Sequence, residues 1–224
     1  MDKGLAEPAE TRFARARPPA MLGFMEERSP TPEDRIEELA RACVVLVRDD
    51  LGFELDFTAE TLPVLDHFCR RYRTEPDWSD RAEEIAATVG VYFGEVLRRK
   101  FPFRWHVSEK GYHAWRLELE PCFLCFNPLG VALELLLEGD ALGWNACYLT
   151  WPDATEALRT RLGRMDQVSE EDFYAFSVRY EVLEAVADFL AGWTAQDPPR
   201  VYDSRFYDDQ IAARREPEIV FSVT

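Results

Sequence analysis

Two glycines in the middle of an otherwise good helix constrain this chain more than any other feature. Ser79 is read as the cap of a helix that runs to about Lys100, with Ile85, Val89, Tyr92, Phe93 and Val96 on its apolar face. Ala86, Gly90 and Gly94 recur at i, i+4 and i+8 and form a bare ridge along it. Each mid-helix glycine costs about 1 kcal/mol relative to alanine. The ridge therefore predicts a second backbone, or a bulky ring, lying directly against the helix.

The segments around this helix read as an α+β domain. Thr31-Pro32-Glu33-Asp34 combines a cap, a proline suited to the first turn and acids that oppose the positive helix end. Ile36, Leu39, Ala40, Cys43, Val44 and Val47 then repeat at helical spacing up to Asp49–Gly52. A second helix opens at Thr58, with Leu62, Leu65, Phe68, Cys69 and Tyr72 on one stripe. Phe103–Val107, the turn Ser108–Gly111, and Trp115, Leu117 and Leu119 alternating with Arg116, Glu118 and Glu120 predict an antiparallel hairpin with a polar outer face. Cys122–Phe126 adds a third short strand, Leu129–Glu138 a helix, Ala141–Trp151 an ambiguous stretch, and Pro152–Leu162 another helix. A long helix from about 170 to 191 is apolar over most of its girth, which fits the core or half of an oligomer interface. The expected architecture is α+β: helices packed on one side of a small antiparallel sheet, with this long C-terminal helix completing the core. Residues 1–30, with Pro8, Pro18, Pro19 and Pro30, read as a flexible tail holding one apolar island at Met21–Met25. Residues 31–193 form the single domain, and residues 194–224 an extended C-terminal tail with a candidate edge strand at Glu218–Val223.

Charge and composition exclude several function classes. Lys and Arg total 26 against 42 Asp and Glu, a net charge of −16. A chain this acidic is a poor general partner for nucleic acid or anionic membrane. No run approaches 18 apolar residues, and the N-terminus has no apolar core of a secretory signal. Five cysteines in 224 residues do not make a disulfide framework. The expectation is a cytoplasmic protein.

Catalytic signals are sparse. Cys122-Phe-Leu-Cys125 is a lone CxxC, for which buried thiols are the simplest reading; a metal site completed by His67 and Cys69, or a redox pair, is the alternative. His67 sits beside an apolar stripe. His106 and His113 flank the hairpin turn, where proton transfer is conceivable. No GxSxG, HExxH, GxxxxGK[ST] or GxGxxG is present. Carboxylate pairs such as Glu83-Glu84, Asp49-Asp50 and Glu170-Glu171 read as solvated faces. The densest constellation is Glu95, Arg98 and Arg99, followed by Arg104 and Trp105. It admits three readings: a surface lattice of ion pairs, a buried Glu95 that fixes the following strand, or a basic patch of Arg98, Arg99, Lys100 and Arg104 that holds an anion.

The run Gly90-Val91-Tyr92-Phe93-Gly94-Glu95-Val96-Leu97-Arg98-Arg99 with Trp105 following, preceded by Leu55-Asp56-Phe57-Thr58 and Leu65-Asp66, resembles a bacterial domain of unknown function over roughly residues 50–135. That domain carries a G-x-Y-x-G-E-V-[LI]-R-R helix before a Trp-containing strand. The resemblance implies a small α+β fold and no particular activity, cofactor or catalytic residue.

The functional expectation is a non-catalytic interaction protein of the adaptor, immunity-like or accessory kind. It would bind another protein, or a second copy of itself, through Phe24, Tyr202, Phe206 and Tyr207 in the tails. No catalytic residue, metal or cofactor is assigned. The alternative is an enzyme or small-ligand binder that uses Glu95, Arg98, Arg99, Trp105 and His106.

Overall fold

The computed structural model describes residues 30–120, 122–163, 169, 172–194 and 202–213. Helix α1 (Pro32–Leu51) begins with a reciprocal cap. The Asp34 amide donates to Thr31 Oγ1 at 3.1 Å, and the Thr31 amide donates to the Asp34 carboxylate at 2.8 Å. A 3-10 turn at Ala59–Thr61 leads into α2 (Leu62–Tyr72). The next helix starts later than Ser79 would have it. Trp78–Arg81 is a 3-10 turn, and α3 (Ala82–Lys100) follows with no side-chain cap.

α3 is the centre of the molecule. Every residue from Ala82 to Leu97 is buried except Glu83 and Glu84 in its first turn. A helix enclosed on all sides needs small residues wherever neighbours come closest, and the ridge supplies them. Helix α4 (Pro128–Leu137) crosses α3 at Gly90. A Cβ there would stand 2.6 Å from Leu129 Cα and 2.7 Å from the Pro128 carbonyl oxygen. At Gly94 the neighbour is a ring: a Cβ would stand 2.3 Å from Trp105 Cζ2. One glycine thus admits a backbone and the other an indole.

The sheet has three antiparallel strands, β1 (Phe103–His106), β2 (Arg116–Leu119) and β3 (Cys125–Phe126), in that order. Its register pairs Phe103 with Leu119, Trp105 with Leu117, and Leu117 with Phe126. Directly opposed residues share a face, so these aromatic and aliphatic side chains form the inner face, over α3 and α4. Arg104 opposite Glu118, and His106 opposite Arg116, form the outer face. Helices α5 (Pro152–Leu162) and α6 (Phe176–Thr194) complete the domain, with α6 packing on α2, α4 and α5. α6 begins about six residues later than the apolar stripe suggests. Its N-terminus is capped from a distance: Asp66 on α2 accepts from the amides of Phe176 (2.6 Å) and Ser177 (3.2 Å) and from Ser177 Oγ (2.7 Å). Phe176, Leu183, Val186, Ala187 and Leu190 of α6 join the main core.

The C-terminal segment departs from the sequence reading. Instead of an extended tail, Ser204–Ala213 is a helix, α7. It covers the outer face of the sheet, so helices lie on both faces rather than one. The physical reason is the aromatic content of the segment. Tyr202 and Tyr207 are buried with Phe123, Cys125 and Leu149 in a separate apolar cluster, with Phe206 packed at its margin. The island at Met21–Met25 and the strand proposed for Glu218–Val223 lie outside the described residues.

Candidate functional site

The helix-to-hairpin junction is built around Glu95. Glycine at position 94 lets the Trp105 ring lie on α3, and the next side chain along the helix meets it. Trp105 Nε1 donates to Glu95 Oε1 at 2.8 Å. Arg98, one turn later, closes a two-pronged pair with the same carboxylate, Nε to Oε1 and Nη2 to Oε2, both at 2.8 Å. Glu95 itself is buried. Burial pushes its carboxyl upward, but the hydrogen bonds from Arg98 and Trp105 outweigh this and hold it below the usual glutamate range. The second of the three sequence readings is therefore the one the structure realises: Glu95 pins strand β1 to α3. A carboxyl whose folded value is depressed stabilises the fold above its ordinary value near 4.5, and that stability is lost as pH falls through the depressed value. Glu95→Gln should cost about 1.5 kcal/mol at pH 7. The difference from the parent should fade on acidification below about 4.5, as read by urea denaturation between pH 3 and 7.

The other cations of the candidate patch are spoken for. Arg99 stacks over the Phe57 ring, 4.0 Å from its centroid, and donates to the Asp56 carbonyl at 3.4 Å. Lys100 pairs with Glu184 at 3.6 Å. Arg104 turns to the opposite face of the sheet. The structure thus brings Glu95, Arg98 and Trp105 together, and separates them from Arg99 and His106.

His106 belongs to a second cluster, centred on Glu118. Glu118 is 0% exposed. Its Oε2 accepts from Arg104 Nε (3.2 Å) and Nη2 (2.7 Å) and from Ser204 Oγ of α7 (3.1 Å). Its Oε1 accepts from Arg116 Nε at 2.8 Å and lies 4.0 Å from His106 Nδ1. Arg116 also reaches Asp208 of α7 at 2.8 Å and the Ser204 carbonyl at 3.3 Å, and Arg104 reaches the Tyr202 carbonyl at 3.2 Å. Partial burial pushes the His106 imidazole below its usual range, with the Arg116 charge adding to the effect. The sequence reading put Arg116 and Glu118 on a solvated strand face. They are buried because α7 covers that face, and no periodicity in residues 202–213 announces this helix.

The tail residues expected to meet a partner are in use inside the fold. Tyr207 is fully buried, and its hydroxyl donates to the Leu119 carbonyl at 2.9 Å, with the Cys122 and Leu124 carbonyls at 3.3 Å. Phe206 meets Phe123 edge-on at 5.1 Å, and Tyr202 is buried beside Trp151. Tyr202 and Tyr207 thus belong to the core of this chain, and Phe206 packs at its margin; Phe24 lies outside the described residues. Cys122 and Cys125 are buried, and burial raises the Cys122 thiol to about 12. His67 is exposed on α2 and His113 is exposed near Trp144.

Two further buried charges tie helices together. Glu134 of α4 accepts from Arg179 Nη2 of α6 at 3.0 Å, and Arg179 lies 4.7 Å from the Phe173 ring centroid. Burial raises the carboxyls of both Glu134 and Asp66. Large apolar side chains stand out at two corners. Val45 (42% exposed) lies in the second half of α1 and Phe53 (59%) in the loop after it. Leu137 (45%) and Leu142 (86%) mark the end of α4 and the loop after it. The backbone around Leu142 is hydrogen-bonded. The Trp144 amide donates to the Ala141 carbonyl at 3.1 Å, closing a turn with Gly143 at φ 84°, a value that suits glycine. The Asn127 amide donates to the Asn145 carbonyl at 2.9 Å, and Ala141 is buried.

No family model, curated protein or solved structure matches the chain. Among the described residues, no helix is long and apolar enough to cross a membrane.

Proposed function

We propose that this is a non-catalytic bacterial interaction protein of the cytoplasm, of the adaptor, immunity-like or accessory kind, and that it binds another protein through the corner at Leu137–Leu142. One observation carries the reading. Leu142 is held out at 86% exposure by a hydrogen-bonded turn whose flanking residues are buried or tied to α4. An apolar side chain on a pre-formed loop loses little conformational freedom on binding, which is how a small contact gains affinity. The bacterial assignment rests on the Gly90–Arg99 motif with Trp105. The enzyme reading has less support, because Glu95, Arg98 and Trp105 are joined in one structural contact and His106 lies on the far side of the sheet.

The test is affinity purification of the tagged protein from its native cell, run beside Leu142→Asp. A stoichiometric partner should be present with the parent chain and reduced at least tenfold with the variant, since a buried hot-spot side chain contributes about 2 kcal/mol or more. A parent chain that purifies alone, or a partner indifferent to Leu142→Asp, would overturn the proposal.

A further inference from the structure

We propose that the partner of the Leu142 corner is a basic protein, which seats an apolar side chain on Leu142 and a lysine or arginine beside Asp140 at the end of α4. The inference rests on the Leu137–Leu142 corner as the docking site and names the chemistry of what docks there.

The segment that builds the corner carries charge of one sign only. Between Pro128 and Trp151 the charged side chains are Glu134, Glu138 and Asp140, with no lysine or arginine. Two of these acids are answered from elsewhere in the fold. Glu134 is buried against Arg179 of α6, and Glu138 pairs with Arg73 just past α2. Asp140 is left over. It is exposed, two residues before Leu142, and among the described residues no cation or hydrogen-bond donor reaches its carboxylate. It also lies near enough to Glu134 to push that buried carboxyl upward, so the two charges act on the same spot.

The backbone adds to this field. α4 ends at Leu137, and its last carbonyls give this end a partial negative charge. α1, α2, α3 and α5 each place arginine in their last turn, where it offsets that charge; α4 places no basic residue there. The span Leu137–Leu142 therefore combines an exposed apolar anchor, an unanswered carboxylate and an uncompensated helix end.

These features discriminate among occupants. In a two-fold contact a second copy would meet the corner with the same corner. Acid would then face acid, and the segment offers no cation in answer. An anionic surface is repelled by the same sign. A basic protein satisfies all three features, and the net charge of −16 draws it in from a distance. Leu142 supplies the desolvated contact that slows dissociation, while Asp140 at the rim acts on the encounter.

The probe is the protein that co-purifies with the parent chain in stoichiometric amount, identified and purified on its own. Its binding kinetics are measured against the parent, Asp140→Lys, Leu142→Asp and Glu54→Lys. Glu54 is an exposed acid in the loop after α1, so its reversal changes the net charge equally at another place. The partner should carry more Lys and Arg than Asp and Glu. Association with the parent should slow about tenfold between roughly 0.05 and 0.5 M salt, as screening shortens the reach of the charges. At the lower salt Asp140→Lys should slow association about fivefold with little change in the dissociation rate, and Glu54→Lys less than about twofold. An acidic partner, or an association rate indifferent to salt, would overturn the inference. Equal effects of the two reversals would do the same, because only the overall charge would then be acting. A partner lost with Leu142→Asp but indifferent to Asp140→Lys would leave the corner standing and remove the basic partner. A parent that forms a dimer broken by Leu142→Asp would make the occupant a second copy. A parent that purifies alone would take the corner and its basic partner down together.

Discussion

Gly90→Ala should destabilise the protein by about 3 kcal/mol, although alanine is the better helix former by about 1 kcal/mol. The added methyl would stand 2.6 Å from Leu129 Cα, 2.7 Å from the Pro128 carbonyl oxygen and 2.9 Å from the Leu129 amide nitrogen. All three are backbone atoms, so no rotamer change relieves the contact. α4 would have to move away from α3 as a body. Its start is tied down by Asn127, whose side chain accepts from the Leu129 amide (2.9 Å) and donates to the Tyr112 (3.0 Å) and His113 (3.3 Å) carbonyls. Moving α4 therefore strains the hairpin loop as well. At about 2–4 °C per kcal/mol for a domain of this size, the midpoint of thermal unfolding should fall by roughly 6–12 °C. Gly94→Ala collides with the Trp105 ring, which can shift at the cost of its bond to Glu95, and meets Pro128 Cγ at 3.4 Å, so its effect should be smaller. If Gly90→Ala proved neutral or stabilising in a denaturant titration, the close crossing of α3 and α4 would be wrong.

The glycine ridge was legible because its cost is local and its cause is generic. A helix that gives up about 2 kcal/mol of propensity at two positions must be recovering it from a close neighbour. Which neighbour was not legible, since a crossing backbone and an indole make the same demand on residues 90 and 94. The cap at Thr31 was readable for a similar reason: the hydrogen bonds it makes lie within a few residues. The outer face of the sheet was not. Arg116, Glu118 and Glu120 alternate with apolar residues, and that pattern predicts solvent on one side. Only Glu120 is exposed. What covers the other two is a helix some 85 residues away in sequence, whose aromatic residues Tyr202, Phe206 and Tyr207 follow no helical stripe. Those residues read as anchors for a partner for the very property that packs them in this chain: large aromatic area. The Glu95 contact lay between these cases. Arg98 at i+3 is visible in sequence, while the Trp105 donor depends on how β1 turns back over Gly94.

Glu118→Leu should cost about 3 kcal/mol, and most of that loss should return when Arg116→Met is added. The single variant removes a fully buried acceptor and leaves the buried Arg116 guanidinium facing Arg104 with no carboxylate between them. Breaking a buried pair by deleting one partner typically costs 3–5 kcal/mol, because a charge stays desolvated without its counterion. Here the lower end applies: Arg104 is partly exposed and can turn toward Glu120, and Asp208 is exposed enough to be solvated in place of pairing. The double variant removes the stranded cation too, and replaces both charges with side chains of similar volume in a face already lined by Phe123, Leu149 and Tyr207. Exchanges of this kind are often neutral or stabilising. Its stability should therefore lie within about 1 kcal/mol of the parent, so that the second substitution recovers about 2 kcal/mol of the first one's loss, as read by urea denaturation. A single variant that costs less than about 1 kcal/mol would mean that water reaches Glu118 and that α7 does not seal this face. A double variant as unstable as the single one would mean that the charges themselves, and not the cost of orphaning one of them, hold α7 in place.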